Sequence, residues 1–158
     1  MAARSNQGSR TTLQRAVALL ARREYSRAEL AGRLARDLSA DDDRAEIERV
    51  LDQLAERGML SDARFAAALT RARAQRFGSA RIRQELKQRG VSAELLSSSV
   101  AELESTELER ARQVWRRRFG TAPANAAERA RQMRFLAQRG FETSVIVRVI
   151  GRSNDADD

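Results

Sequence analysis

The chain has 158 residues and a net charge of +8; 42% of it is apolar, only 4% is aromatic, and it contains one proline, no cysteine and no histidine. This length suits one compact domain or a short array of small units with a thin core. The missing Cys and His exclude disulfides, thiolate chemistry, most zinc sites and a ready general base near neutral pH. No apolar run approaches the ~18–20 residues that cross a bilayer. Residues 1–10 lack the apolar stretch of a signal peptide, so a cytoplasmic protein is expected.

Ala, Leu, Arg and Glu dominate and favour helix. Residues 1–10 are polar and expected to be disordered. A first helix is predicted from about Thr12 to Glu24, with Leu13, Val17 and Leu20 as its stripe. Ser26 and Glu29 form a capping box opening a second helix with Leu30 and Leu34 inward. Asp41, Asp42 and Asp43 interrupt. Their spacing fits helix capping better than a divalent-metal site. Asp43 and Glu46 begin a third helix through Ile47, Val50, Leu51 and Leu54, and Gly58 ends it. Ser61 and Asp62 start a fourth, with Phe65 and Leu69. Gly78 and Ser79 start a fifth, with Ile82 and Leu86, which stops at Gly90. Ser92 opens a sixth, with Leu96, Val100 and Leu103. Thr106 and Glu109 form a further capping box opening a seventh, with Trp115 and Phe119. An eighth runs from Asn125 to Arg139 and stops at Gly140. A ninth holds Val145, Ile146, Val149 and Ile150.

These helices repeat. Gln-Arg-Gly occurs at 88–90 and 138–140. At the same offset of fifty, Phe65 matches Trp115, Leu86 matches Leu136, Val91 matches Phe141 and Val100 matches Ile150. An offset of 52 aligns Leu13 with Phe65, Tyr25 with Phe77, Leu30 with Ile82 and Leu34 with Leu86. The fold is therefore read as all-α, three tandem three-helix repeats of about nine short helices in an elongated, curved array. The units are 11–60, 61–104 and 105–151, after a disordered 1–10 and before an acidic tail at 152–158.

The charge is segregated. Residues 1–63 carry 11 basic and 11 acidic groups, 64–89 carry 8 and 1, and 106–140 carry 9 and 3. Two basic segments so clustered are the footprint of a polyanion. The candidate contacts are Arg71, Arg73, Arg76, Arg81, Arg83, Lys87, Arg131 and Arg134, acting through charge. Glu85, the lone acid among the first set, is expected to pair with Arg81 or Arg89, each four residues away. Phe135 falls among cations. Core packing is its favoured role, and a stacking platform for a base is the other. No catalytic, metal or cofactor constellation is evident, and no enzymatic activity is expected. From the residues alone, a nonspecific DNA-binding module and an adaptor for an acidic protein both remain open.

The stretch Gly58-Met-Leu60-Ser-Asp62-Ala-Arg64-Phe65-Ala66, then Arg71, Arg73 and Arg76, then Gly78-Ser-Ala-Arg81-Ile82-Arg83-Gln-Glu85-Leu86-Lys87-Gln-Arg-Gly90, resembles the signature of the RecX regulatory proteins. The match is strong over about 54–104 and colinear outside it. Ser79 stands where that signature often has Pro, and Ser61 where it often has an acid; both serve helix capping. The resemblance implies tandem three-helix units, no catalysis, and binding to the RecA recombinase, mainly on its DNA filament, with single- or double-stranded DNA contacted there. It further implies suppression of ATP hydrolysis and strand exchange. A monomer in the cytoplasm is expected, with the neutral first unit turned to protein.

Overall fold

The computed structural model describes residues 4–36 and 42–151. Eight helices follow in order: α1 (Arg4–Leu20), α2 (Arg27–Ala35), α3 (Asp42–Glu56), α4 (Asp62–Ala74), α5 (Ser79–Gln88), α6 (Ala93–Arg118), α7 (Ala126–Gln138) and α8 (Thr143–Ile150). No strand occurs among the described residues. The start signals work by the chemistry expected of them. Ser26 closes a full capping box with Glu29, and Ser61, Ser92 and Asn125 each accept a backbone N–H from the first turn they precede.

Three apolar cores lie in series. The first unites Leu30, Leu34, Ile47, Leu51 and Leu54 from α2 and α3 with Ala16 of α1. The second gathers Phe65, Ile82, Leu86, Val91, Val100 and Leu103. The third gathers Ala111, Val114, Leu136, Phe141, Ile146 and Ile150. The repeat is visible in these cores. Leu34, Leu86 and Leu136 occupy equivalent positions and are each 0% exposed, a burial worth about 2–3 kcal/mol apiece.

Three details differ from the sequence expectation. First, α1 begins at Arg4, inside the stretch read as disordered, and ends at Leu20 rather than near Glu24. Second, the described residues form eight helices where about nine are expected, because the sixth and seventh are one helix of 26 residues. The Thr106 capping box does not form. Thr106 Oγ1 instead lies 3.4 and 3.3 Å from the carbonyls of Glu102 and Leu103, a back-bond that lets a helix continue. Third, the principal partner of Glu85 is Arg73 of α4, with Arg89 second and Arg81 not involved. Asp41 and the tail at 152–158 lie outside the described residues.

The repeated Gln-Arg-Gly builds the joints between units. At the first joint the Ser26 hydroxyl donates to the Arg89 carbonyl at 2.5 Å, and Gly90 packs on Ala28. At the second, Gly78 N–H donates to the Arg139 carbonyl at 2.8 Å and Ala80 N–H to the Gly140 carbonyl at 3.2 Å. Between them, Ser79 N–H donates to Glu107 Oε1 at 3.3 Å and its hydroxyl to Oε2 at 2.5 Å. Glu107 is 2% exposed, and its Oε1 also accepts from Glu142 N–H at 3.3 Å. The opening N–H groups of α5, which has no side-chain cap of its own, are thus satisfied by residues of the third unit.

A charge ladder reinforces the first joint. Arg23 pairs with Glu29 at 3.3 Å, Glu29 with Arg89, Arg89 with Glu85 at 3.0 Å, and Glu85 with Arg73 at 3.0 Å. The Arg73 hydrogen bonds are the main cause holding the Glu85 carboxyl below its ordinary range, against partial burial that acts the other way.

Two outcomes follow. Gly140 has φ +83°, and a Cβ there would sit 2.4 Å from Arg81 Cβ and 2.7 Å from its backbone nitrogen. Gly140→Ala is therefore expected to cost about 2–4 kcal/mol in urea unfolding. Gly32→Ala inside α2, where nothing lies within 4 Å, should instead gain about 0.5–1 kcal/mol; the same sign at both sites would contradict the joint. For Glu85, a lowered folded-state pKa means stability that is present above the unfolded carboxyl pKa and lost as pH falls through the folded one. Glu85→Gln should cost about 1 kcal/mol at pH 7, a modest figure because the pair is partly solvated. The difference from wild type should vanish in acid, below that lowered pKa, and a pH-independent gap would exclude the ion pair as its source.

A candidate polyanion-binding face

The face begins at the turn after α4. Arg110 of α6, half buried, donates to the carbonyls of Ala74 at 3.1 Å, Phe77 at 2.7 Å and Leu103 at 2.9 Å. Burial pushes its guanidinium pKa down, and nearby Glu107 opposes this. These bonds satisfy carbonyls at the end of α4 and hold the turn that carries Arg76 and Phe77.

Around this turn is an open, polar depression of ≈ 530 Å³ lined by Arg73, Arg76, Arg81 and Arg89 with Phe77, Gln84, Gln88 and one acid, Glu85, which pairs with Arg73 and Arg89. Arg81 lies over the Phe77 ring at 3.9 Å, an arrangement that fixes a guanidinium while leaving its edge to solvent. A second depression of ≈ 340 Å³ adjoins it, lined by Gln75, Arg76, Val114, Arg117, Arg118, Phe135 and Arg139. Arg76 belongs to both, so the two form one cationic surface across units two and three. Phe135 packs against the third core and meets Phe119 edge to face at 5.2 Å.

The eight sequence candidates divide. Arg73, Arg76 and Arg81 come together on this face. Arg131 borders it, 5.8 Å from the Phe119 ring, and Arg134 is exposed on the same helix. Arg83 is engaged elsewhere, paired with Glu104 of α6 at 2.6 Å. Arg71 lines a separate groove between α4 and α6, beside Glu102 and Thr106. Lys87 is exposed. Arg73 is only partly available, since both its Nε and a terminal nitrogen bind Glu85 at 3.0 Å.

The sequence reading left Arg89, Arg117, Arg118 and Arg139 out of its set. The signal for two of them was present, since Arg89 and Arg139 are the arginines of the repeated triplet. Arg117 and Arg118 needed the continuity of α6, which alone tells which side of that helix faces α7. Among the described residues no group of three or more His, Cys, Asp and Glu could hold a metal, and no helix is long and apolar enough to cross a membrane.

Comparison with known proteins agrees with this architecture. The family model of the second three-helix domain of RecX matches residues 61–98, and that of the third three-helix domain matches residues 105–150. A regulatory protein RecX from Leptothrix cholodnii is 51% identical over 146 residues, covering 92% of this chain and 91% of its own. One from Ralstonia nicotianae is 45% identical over 136 residues, covering 86% and 84%. The crystal structure of RecX from Lactobacillus salivarius superposes with a TM-score of 0.77 at 14% identity, over 92% of this chain and 96% of that one. At that identity the likeness speaks to fold alone, whereas the sequence relatives and both matched domains show that the chain belongs to the RecX family of regulatory proteins.

Proposed function

We propose that this protein regulates the RecA recombinase by binding RecA, chiefly as its DNA filament, and thereby suppresses ATP hydrolysis and strand exchange. It acts as a monomer in the cytoplasm and by occupancy rather than by catalysis. The observation that carries this reading is the cationic surface centred on Arg76, continuous from α4 to α7. Family membership supports the regulatory role. The charge-neutral first unit is left to contact protein.

Electrostatics decides how the face is used. Backbone phosphates give affinity without sequence reading, and each phosphate neutralised adds to the salt dependence. Arg73 and Arg83 already have acidic partners, so they contribute less than their number suggests. Arg76 and Arg131 have no acidic partner among the described residues, and Arg81 is held by a ring rather than by a carboxylate.

The test is inhibition of the recombinase ATPase on single-stranded DNA across a salt series. The double variant Arg76→Glu, Arg131→Glu should raise the half-inhibitory concentration at least tenfold. It should also lower the slope of log affinity against log salt by about 2. Inhibition indistinguishable from wild type would refute the role of this face. Wild-type affinity for naked DNA equal to that for the filament would instead favour an independent DNA-binding module.

A further inference from the structure

The two joints are built alike but charged differently. Arg89 ends α5 as Arg139 ends α7, fifty residues later. At the first joint Arg89 is held by two carboxylates, Glu29 of the preceding unit and Glu85 one turn back in its own helix. The offset of 52 places Arg81 where Glu29 stands, and the offset of fifty places Phe135 where Glu85 stands. Both acids are therefore missing from the second joint.

Arg139 shows the effect. It lies over the Phe135 ring at 4.4 Å, and its buried Nε has no hydrogen-bond partner. An unsatisfied buried N–H is costly, and native proteins rarely keep one without a use. Arg76, Arg117 and Arg118 line the same depression, which has no carboxylate in its wall.

We infer that the joint between the second and third units is an anion site whose missing charge is supplied from outside, by successive phosphodiesters of a nucleic acid strand. A guanidinium presents a planar fork that matches a phosphate's oxygens. One carboxylate would neutralise one of the four arginines, whereas a strand brings a charge with every nucleotide and neutralises several at once. The phosphate takes the place that Glu29 and Glu85 hold at the first joint, and the Phe135 ring keeps Arg139 aimed into the cleft. The inference rests on the reading of this face as polyanion-binding and assigns its centre.

Arg81→Glu tests it by restoring the absent acid from within. The substituted chain should keep or raise its thermal midpoint. Its affinity for a labelled 20-nucleotide oligodeoxythymidylate should fall about tenfold, with a salt slope lower by about 1. Arg139→Gln, which removes the cation without adding an acid, should lose similar affinity. Arg44→Glu on α3 makes the same charge change far from the joint and should lose little. A duplex of equal length, run in parallel, tells which form of strand supplies the phosphates, and binding of either supports the site. Equal losses from Arg44→Glu and Arg81→Glu would overturn the inference, as would poly-glutamate raising the wild-type midpoint as much as the oligonucleotide does. Because these probes contain no recombinase, failure here with ATPase inhibition intact would remove the site but not the regulatory role.

Discussion

The arrangement depends on how α5 begins. A helix leaves its first N–H groups without partners, and a side chain at the N-cap usually supplies one. Gly78 has none to offer. The Arg139 and Gly140 carbonyls and the Glu107 carboxylate, all from the third unit, receive those N–H groups instead. The second unit is therefore completed only when the third is docked. Side chains are kept small where the backbones meet, since a Cβ on Gly78 would lie 2.2 Å from the Gly140 carbonyl oxygen. Conformation and close approach together require glycine at 140.

This constraint explains why the arginines are where they are. A helix that ends at a left-handed glycine puts its final arginine at the joint, beside the start of the neighbouring unit. At the first joint the arginine is absorbed into a ladder of alternating charge. At the second the neighbours are cations and aromatic rings. One structural device thus yields a seam whose cations are largely paired and a strongly positive one, and the difference lies in two side chains, Arg81 and Phe135. Ion pairs of this half-exposed kind add little stability, so their arrangement matters more for where positive potential accumulates than for holding the units together.

Much of this was legible in the sequence. Caps at Ser26, Ser61, Ser92 and Asn125 are local chemistry, and most stripe residues that recur at 50 and 52 are buried in the three cores, while Leu13, Phe77 and Trp115 are half-buried against them and Val17 of the first stripe is exposed. What could not be read locally was the fate of Thr106 and Glu107. The pattern Thr-x-x-Glu signals a helix start, but Glu107 is required inside the second joint, and a break there would remove it from Ser79. Tertiary demand overrode a correct local signal. The candidate site was half legible for the same reason. Helical spacing placed Arg73, Arg76 and Arg81, but the pairing of Arg73 with Glu85 and of Arg83 with Glu104 depends on which helices pack together, and the importance of Arg139 depends on comparing one joint with the other.

The unbroken α6 has a mechanical consequence. At 26 residues it is about 39 Å long, and its two halves serve the second and third cores in turn. Those units are two ends of one rod, pinned again by Glu107, and cannot swing against each other without breaking a helix. The first unit is tied on by a short segment through Met59 and Leu60, by hydrogen bonds from Ser26 to the Arg89 carbonyl and from Arg27 N–H to Asp62, and by the Arg64–Glu24 pair and the charge ladder of Arg23, Glu29, Arg89 and Glu85, with no helix shared across the joint. A chain of three similar beads therefore has only one articulation. Bending is therefore confined by the architecture to the junction of the first unit with a rigid two-unit bar that carries all the surplus positive charge.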